Sequence, residues 1–170
     1  MSLGGVVFSK SLRIAGDAMD GAIINYMRKK FNLLIGESTA EKIKKEIGTA
    51  IPTSNNIFLM KGRDIRTGTP KEISLTEEDA CEALMPILNQ MLAAIKEALE
   101  STPPELSADL VDMGLVLTGG GALLKNIDKL ISKDTGLPVT IAENPLECVA
   151  IGTGKALENE ELFSTMMSEY

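Results

Sequence analysis

An apolar run that ends in consecutive glycines constrains the fold more than any other stretch of this sequence. Residues 114–118 are almost continuously apolar, which is typical of a strand buried on both faces. Gly119, Gly120 and Gly121 follow at once, and residues 122–132 have the apolar spacing of a helix. A strand, a tight turn and a helix in this order predict an α/β fold.

The same glycines form a candidate binding site. Because they carry no side chains, a ligand can approach their main chain closely. The free N–H groups at the start of the next helix would face that ligand. The alternative is a tight turn whose glycines are needed for packing alone. The residues by themselves are compatible with both interpretations. The turn matches neither the phosphate-binding loop with its Lys-Ser/Thr nor the spaced glycines of the dinucleotide fingerprint.

Periodicity and helix-end signals predict the other elements. Asp17 is expected to be the N-cap of the first helix, and Pro86 to kink or break the longest one. In chain order we expect a strand at 6–12, a helix from Asp17 to Phe31, a helix between Gly36 and Gly48, a small antiparallel sheet within 49–75, a long helix that starts with a capping box at Thr76 and runs towards Leu99, a short helix at 106–111, a strand at 138–141 and a final core helix from Pro145.

Composition excludes several classes of function. The net charge of −7 disfavours binding to nucleic acid phosphates or to anionic lipid head groups. The sequence contains no histidine, which excludes a Ser-His-Asp triad and the usual zinc sites within it. Cys81 and Cys148 are expected to be reduced core residues. No apolar run approaches the roughly 20 residues that span a bilayer. With no signal peptide at its start, the chain is expected to be cytoplasmic.

A charged helix provides the second candidate site. Glu41 lies three and four positions before Lys44 and Lys45, so the spacing places the three side chains on one helix face. A solvated ion pair is the simplest explanation. The functional alternative is a planar ligand, since a lysine stem can pack on a base while a carboxylate accepts a hydrogen bond from a ribose hydroxyl.

Taken together, several segments closely resemble the MreB family of bacterial actin homologues. The resemblance covers nearly the whole chain and is more specific than the general pattern of actins, chaperones and sugar kinases. One departure is Gly21, where the family more usually has an acidic residue. The segments that carry the resemblance are SLRIAGDAMD (11–20), IGESTAEKIK (35–44), TPPEL (102–106), LTGGGALL (117–124) and PLECVA (145–150).

The resemblance implies a fold and a division into subdomains. The expected fold is α/β, the C-terminal lobe of the actin-like (ribonuclease H-like) ATPase fold, with a mixed sheet flanked by helices. Residues 1–35 and 76–157 would form the core subdomain, and residues 36–75 a smaller inserted α+β subdomain. Residues 158–170 would form an acidic tail.

The resemblance also implies a function. Members of the family hold ATP and Mg²⁺ between two lobes, polymerise into filaments, and direct cell shape and cell-wall synthesis. The glycine turn would lie beside the adenosine and α-phosphate, and the charged helix beside the base and ribose. The expected nucleotide-binding residues of this chain are Glu41, Lys44, Lys45, Gly119, Gly120, Gly121, Ala122 and Leu123.

Much of the family's chemistry is expected outside this chain. The two phosphate loops, the residues that position Mg²⁺ and water, and the membrane-binding segment belong to the other half of the fold. The expected partners are further protomers and cell-shape and cell-wall synthesis proteins, but not nucleic acid; filaments would lie at the inner face of the membrane. This half alone is not expected to hydrolyse ATP. Two alternatives stay open, namely a lobe of an actin-fold small-molecule kinase and a truncated, non-catalytic binding module.

Overall fold

The structure, a computed structural model, describes residues 6–11 and 16–158. Helices dominate these residues, and the strands are short. In chain order the elements are α1 (Gly16–Phe31), β1 (Leu33–Leu34), α2 (Glu37–Ile47), β2 (Ile57–Asp64), β3 (Pro70–Thr76), α3 (Glu77–Glu100), α4 (Pro104–Met113), β4 (Leu115–Leu117), a 3₁₀ turn (Gly120–Leu123), α5 (Ile127–Thr135), β5 (Val139–Ile141) and α6 (Cys148–Glu158).

Helices α1, α2 and α3 pack around a shared apolar core. Each buries a stripe at helical spacing, as the periodicity predicts. Gly36 and Gly48 bound α2 as expected, and a Cβ at Gly48 would collide with the carbonyl group of Lys44. Asp17 lies within the first turn of α1 rather than at its N-cap. The stripes comprise Met19, Ile23 and Met27 of α1, Ala40, Ile43 and Ile47 of α2, and Ala80, Ala83, Leu84 and Leu88 of α3.

The predicted antiparallel sheet is present and gains one strand. Its order is β1-β2-β3, and the short strand β1 was not predicted. Met60 and Leu75 point into the core from β2 and β3, which leaves the opposite face of the sheet to solvent. The chain passes directly from β3 into α3 through the predicted capping box, in which Thr76 and Asp79 bond each other's backbone N–H groups. Pro86 does not end α3, which continues to Glu100.

A polar cluster joins the end of α1 to the start of α3. The Lys30 ammonium lies 2.9 Å from Asp79 and 2.8 Å from Glu82, and the Tyr26 hydroxyl donates a hydrogen bond to Asp79. Burial raises the pKa of Tyr26, and the bond to Glu82 raises it further. Burial alone would raise the pKa of Asp79, but its bonds from Lys30 and Thr76 lower it overall. The cluster therefore ties the end of α1 to the start of α3.

The second part of the chain is more open. Strands β4 and β5 pair in parallel, with Val116 opposite Thr140, and form a sheet separate from the first. A single mixed sheet is thus not formed among the described residues. The prediction that β4 is buried on both faces is wrong, since Val116 is 63% exposed. Thr140, its partner in β5, is exposed as well.

Three further predictions need correction. The helix expected at 122–132 is divided into the 3₁₀ turn and α5, because Asn126 takes a left-handed conformation with φ 61°. The final helix begins at Cys148, and none of its residues is buried, so it is not a core helix in this chain. Residues 6–11 form no strand, and Leu12, the last residue of that predicted strand, lies outside the described residues.

Two sequence expectations can be compared directly with the structure. Both cysteines are free thiols, but only Cys81 is buried, whereas Cys148 is half-buried. Among the described residues, no helix has the length and apolar character needed to cross a membrane. Most of the predicted acidic tail, residues 159–170, lies outside the described residues.

Candidate functional site

Helix α2 presents the charged residues of the first candidate site. Its apolar stripe faces the core, so Glu41 and Lys45 project outwards. Their charged atoms lie 2.7 Å apart, one helical turn from each other. The hydrogen bond from Lys45 lowers the pKa of Glu41 and raises that of Lys45. This is the solvated ion pair that the spacing predicted, on an accessible face.

Lys44 behaves differently from its neighbour. Its ammonium lies 2.8 Å from Asp20 of α1 and donates a hydrogen bond of 3.3 Å to the carbonyl of Gly16. The Lys44 side chain is 18% exposed and that of Asp20 is 14% exposed. Lys44 therefore does not share the outward face of Glu41 and Lys45. Its charge ties α2 to the start of α1.

The glycine turn leaves its backbone open to solvent. Gly119 has φ 82°, which favours glycine, and its N–H donates to the carbonyl of Pro145 at 2.7 Å. A Cβ at Gly119 or Gly121 would meet nothing within 4 Å. Beyond them the turn alternates, since Ala122 is buried and Leu123 is 57% exposed. A ligand thus has a free approach to the main chain at Gly119 and Gly121.

The residues directly after this turn bind the end of α2. Lys125 Nζ donates to the carbonyl of Glu46 at 2.9 Å. The backbone of Thr49 forms a parallel bridge with Lys125, and Ala50 N–H donates to the Lys125 carbonyl at 2.8 Å. The end of α2 and the residues after it therefore contact the residue that follows the glycine turn. These contacts connect the two candidate sites, which are far apart in sequence.

The loop that follows α2 is held by a buried carboxylate. Glu77, at the first position of α3, is 3% exposed. It accepts hydrogen bonds from the backbone N–H groups of Thr53 and Ser54 at 3.0 Å and from the Ser54 hydroxyl at 2.7 Å. The hydroxyl bond from Ser54, followed by the Thr53 bond, lowers the pKa of Glu77. This carboxylate thereby fixes the path of the chain between α2 and β2.

Sequence reasoning missed the residues that make this connection. Thr49, Glu77, Lys125 and Asn126 were not singled out, because the contacts by which they connect the segments span 23 to 79 residues and no local pattern reports them. Asn126 offered one signal, since an asparagine before an amphipathic run is a typical N-cap. That signal would have suggested a helix end rather than a long-range contact.

The arrangement provides groups that can bind a ligand. It combines an accessible glycine backbone, a carboxylate and lysine ammonium groups, which can hold a polar, partly anionic ligand. Within the described residues, no group of three or more acidic or cysteine side chains could hold a metal ion. We therefore assign no residue of these ranges to a metal.

Comparison with known proteins decides the family. Residues 1–165 match the family described as MreB/Mbl protein. The chain belongs to the MreB/Mbl family. This confirms the resemblance seen in the sequence motifs.

Curated relatives of the MreB/Mbl family align with nearly all of this chain. It is 50% identical over 159 residues to the cell shape-determining protein MreB of Escherichia coli (strain K12) and 44% identical over 160 residues to the cell shape-determining protein Mbl of Bacillus subtilis (strain 168). These alignments cover 93% and 94% of this chain, but 46% and 48% of the relatives. The chain thus spans about half the length of the curated relatives it matches.

Solved structures agree with this assignment. MreB5 of Spiroplasma citri bound to AMPPNP superposes with a TM-score of 0.87 at 36% identity, covering 92% of this chain and 47% of that one. The ADP-bound form gives 0.83 at 37% identity, covering 86% and 45%. A MamK double helical filament gives 0.65 at 19% identity, covering 79% and 42%, which supports the fold alone. The chain is therefore an α/β part of an actin-like fold.

Proposed function

We propose that this chain forms one side of an ATP site in a bacterial filament protein that determines cell shape. The observation that carries the proposal is the 50% identity with a cell shape-determining protein over 93% of the chain. The MreB5 structures were solved with AMPPNP and with ADP, and MamK was solved as a filament. Neither the kinase lobe nor the stand-alone binding module has comparable support.

In this proposal, adenosine lies between α2 and the glycine turn. Glu41 accepts a hydrogen bond from the ribose, and the stem of Lys45 borders the base. Lys44, whose ammonium pairs with Asp20, borders the base only with the exposed part of its stem. Gly119, Gly120 and Gly121 offer their main chain to the adenosine and α-phosphate side, followed by Ala122 and Leu123. The accessible backbone of the turn supports this placement. Mg²⁺ would be held together with groups beyond the described residues.

We further propose that the chain corresponds to the C-terminal lobe of the family's fold. Its core subdomain would comprise residues 1–35 and 76–157, with residues 36–75 inserted. Filaments of the complete protein would assemble at the inner face of the membrane with cell-wall synthesis proteins as partners. The membrane contact itself would belong to the other half of the fold.

A substitution at Gly121 tests the nucleotide site. Gly121 has neither a positive φ nor a neighbour near a new Cβ, so Gly121→Leu should fold normally while its side chain fills the ligand's approach. In the complete protein we expect at least an about tenfold weaker affinity for ADP and AMPPNP by titration calorimetry, and less ATP-dependent pelleting.

The matched control is Gly21→Leu in α1, where a Cβ is equally free of contacts. It adds the same bulk away from the glycine turn and should leave nucleotide affinity within about twofold. Unchanged nucleotide binding and pelleting in Gly121→Leu would contradict the proposed site.

A further inference from the structure

Asn126 does not use its side chain in the way its position suggests. It is the residue before α5, where an asparagine normally accepts a hydrogen bond from the first turn of the helix. Here its side chain caps nothing. The Asn126 amide instead donates to Thr49 Oγ1 at 3.2 Å and to the Ile51 carbonyl at 2.9 Å, 75 to 77 residues earlier in the chain. Its backbone also takes the left-handed conformation, with φ 61°.

Thr49 receives this contact in a fully buried position. Its relative exposure is 0%, and its hydroxyl donates to the Ile51 carbonyl at 2.6 Å. The same oxygen lies 3.2 Å from the Lys125 carbonyl. Because buried polar groups are costly unless they are bonded, these contacts favour one arrangement of the two segments. Thr49 lies two residues after the end of α2, and Asn126 three residues after the 3₁₀ turn.

From this geometry we infer that Asn126 and Thr49 are positioning residues, which set the distance between α2 and the glycine turn. The inference rests on the function proposed above, in which adenosine lies between those two elements. Neither residue needs to touch the nucleotide. Their bonds lie just after α2 and just after the glycine turn. They hold these two sides of the site at the separation that an adenosine requires.

The test removes the Asn126 side chain without straining the backbone. Asn126→Gly keeps the left-handed conformation, which glycine adopts readily, and loses both donated bonds. In the complete protein we expect an about tenfold weaker affinity for ADP by titration calorimetry. Hydrogen exchange at the amides of residues 119–124 should become faster, while the amides of β2 and β3 should keep their protection. A merely structural role would change exchange in both places alike.

Asn32→Gly is the matched control. Asn32 is also left-handed, with φ 52°, but its exposed side chain makes no hydrogen bond within the described residues. ADP affinity should stay within about twofold of that of the unmodified protein. If Asn126→Gly fails to fold, Thr49→Val removes the bond between Asn126 and Thr49 from the other side and keeps the bond from Asn126 to the Ile51 carbonyl, so a weakening of at least about threefold is expected. Thr49→Ser, which keeps the hydroxyl, should restore binding.

The results separate the two proposals. If the unmodified protein binds ADP and Asn126→Gly, or Thr49→Val in its place, binds it equally well with unchanged exchange, the positioning role is wrong and the proposed function stands. If the unmodified protein binds neither ADP nor AMPPNP, the proposed function fails and the inference fails with it. Weaker binding with faster exchange confined to the glycine turn would support the positioning role.

Discussion

The first region of the molecule, residues 16–100, and the second region, residues 104–158, are built differently. The first region encloses a core between three helices and a three-stranded sheet, and it holds most of the buried apolar side chains. In the second region, neither α4 nor α6 buries a residue. The buried apolar side chains of that region are Ala122, Leu124, Ile127 and Ile131.

This difference shows where each region obtains its stability. The first region supplies most of the side chains of the shared core. In the second region, α5 buries Ile127 and Ile131 in the shared core, whereas Val116 and Val149 stay exposed. Large apolar side chains are also exposed on α4 and on the loop before α6, namely Val111, Met113 and Leu146. The second region therefore depends on the first through α5, Lys125 and Asn126.

The largest expected effect comes from truncating the core of the first region. Leu84 of α3 is fully buried, so Leu84→Ala should lower the free energy of unfolding by about 2–5 kcal/mol. Val149→Ala is the counterpart in α6, where the side chain is 70% exposed, and it should change stability by less than about 0.5 kcal/mol. Urea unfolding of this chain, followed by circular dichroism, measures both.

A large loss of unfolding free energy in Val149→Ala would contradict the difference between the two regions. It would mean that α6 packs on a surface in solution. A small loss of unfolding free energy in Leu84→Ala would also contradict it, because the first region would then not depend on its core.

The contrast between the regions also explains what could be predicted from the sequence. Where a stripe packs on a neighbour within the chain, as with Met19, Ile23 and Met27, periodicity gave the correct helix and the correct buried face. The capping box at Thr76 was equally legible, since its partners are three residues apart. Such features depend on local spacing, and the sequence contains that information directly.

The failures share a different cause. Val116 and Val149 are apolar residues in segments that read as buried, but both are exposed. An apolar sequence does not show whether another element packs over it. The start of α5 was misplaced because Asn126 has a positive φ, and its side chain bonds to Thr49 and Ile51, which lie 75 to 77 residues away in sequence. For the candidate site, the residue types came from motifs, whereas the pairing of Lys44 with Asp20 needed coordinates.

An intermediate effect, dependent on pH, is expected at Glu77. Among the described residues, Glu77 is the one buried carboxylate, so acid should weaken the first region at this point. Its folded pKa is lowered by the bonds from Ser54 and Thr53. A group with a lowered folded pKa stabilises the protein above its unfolded pKa, and this contribution is lost as pH falls through the folded value.

Glu77→Gln should therefore lower the free energy of unfolding by about 1.5–3 kcal/mol at pH 7, the usual range for hydrogen bonds to charged groups. The difference in unfolding free energy between the variant and the unmodified chain should disappear as the pH falls below 4.5, the ordinary pKa of a glutamate. Urea unfolding at a series of pH values follows this. Glu78→Gln, at the next and exposed position of α3, should show no such gap. A gap that is constant with pH would exclude a role for the charge of Glu77.

The smallest effect tests whether the two regions unfold together. Gly21 of α1 and Gly152 of α6 are both helical, and a Cβ at either would meet nothing within 4 Å. Glycine to alanine in a helix interior stabilises by about 0.5–1 kcal/mol. We expect Gly21→Ala to raise the free energy of unfolding of this chain by that amount, because α1 belongs to the core. Gly152→Ala should raise it by less, since α6 opens before the core unfolds. Equal gains in the two variants would show that α6 unfolds together with the core, and the distinction between the regions would then be one of burial but not of cooperativity.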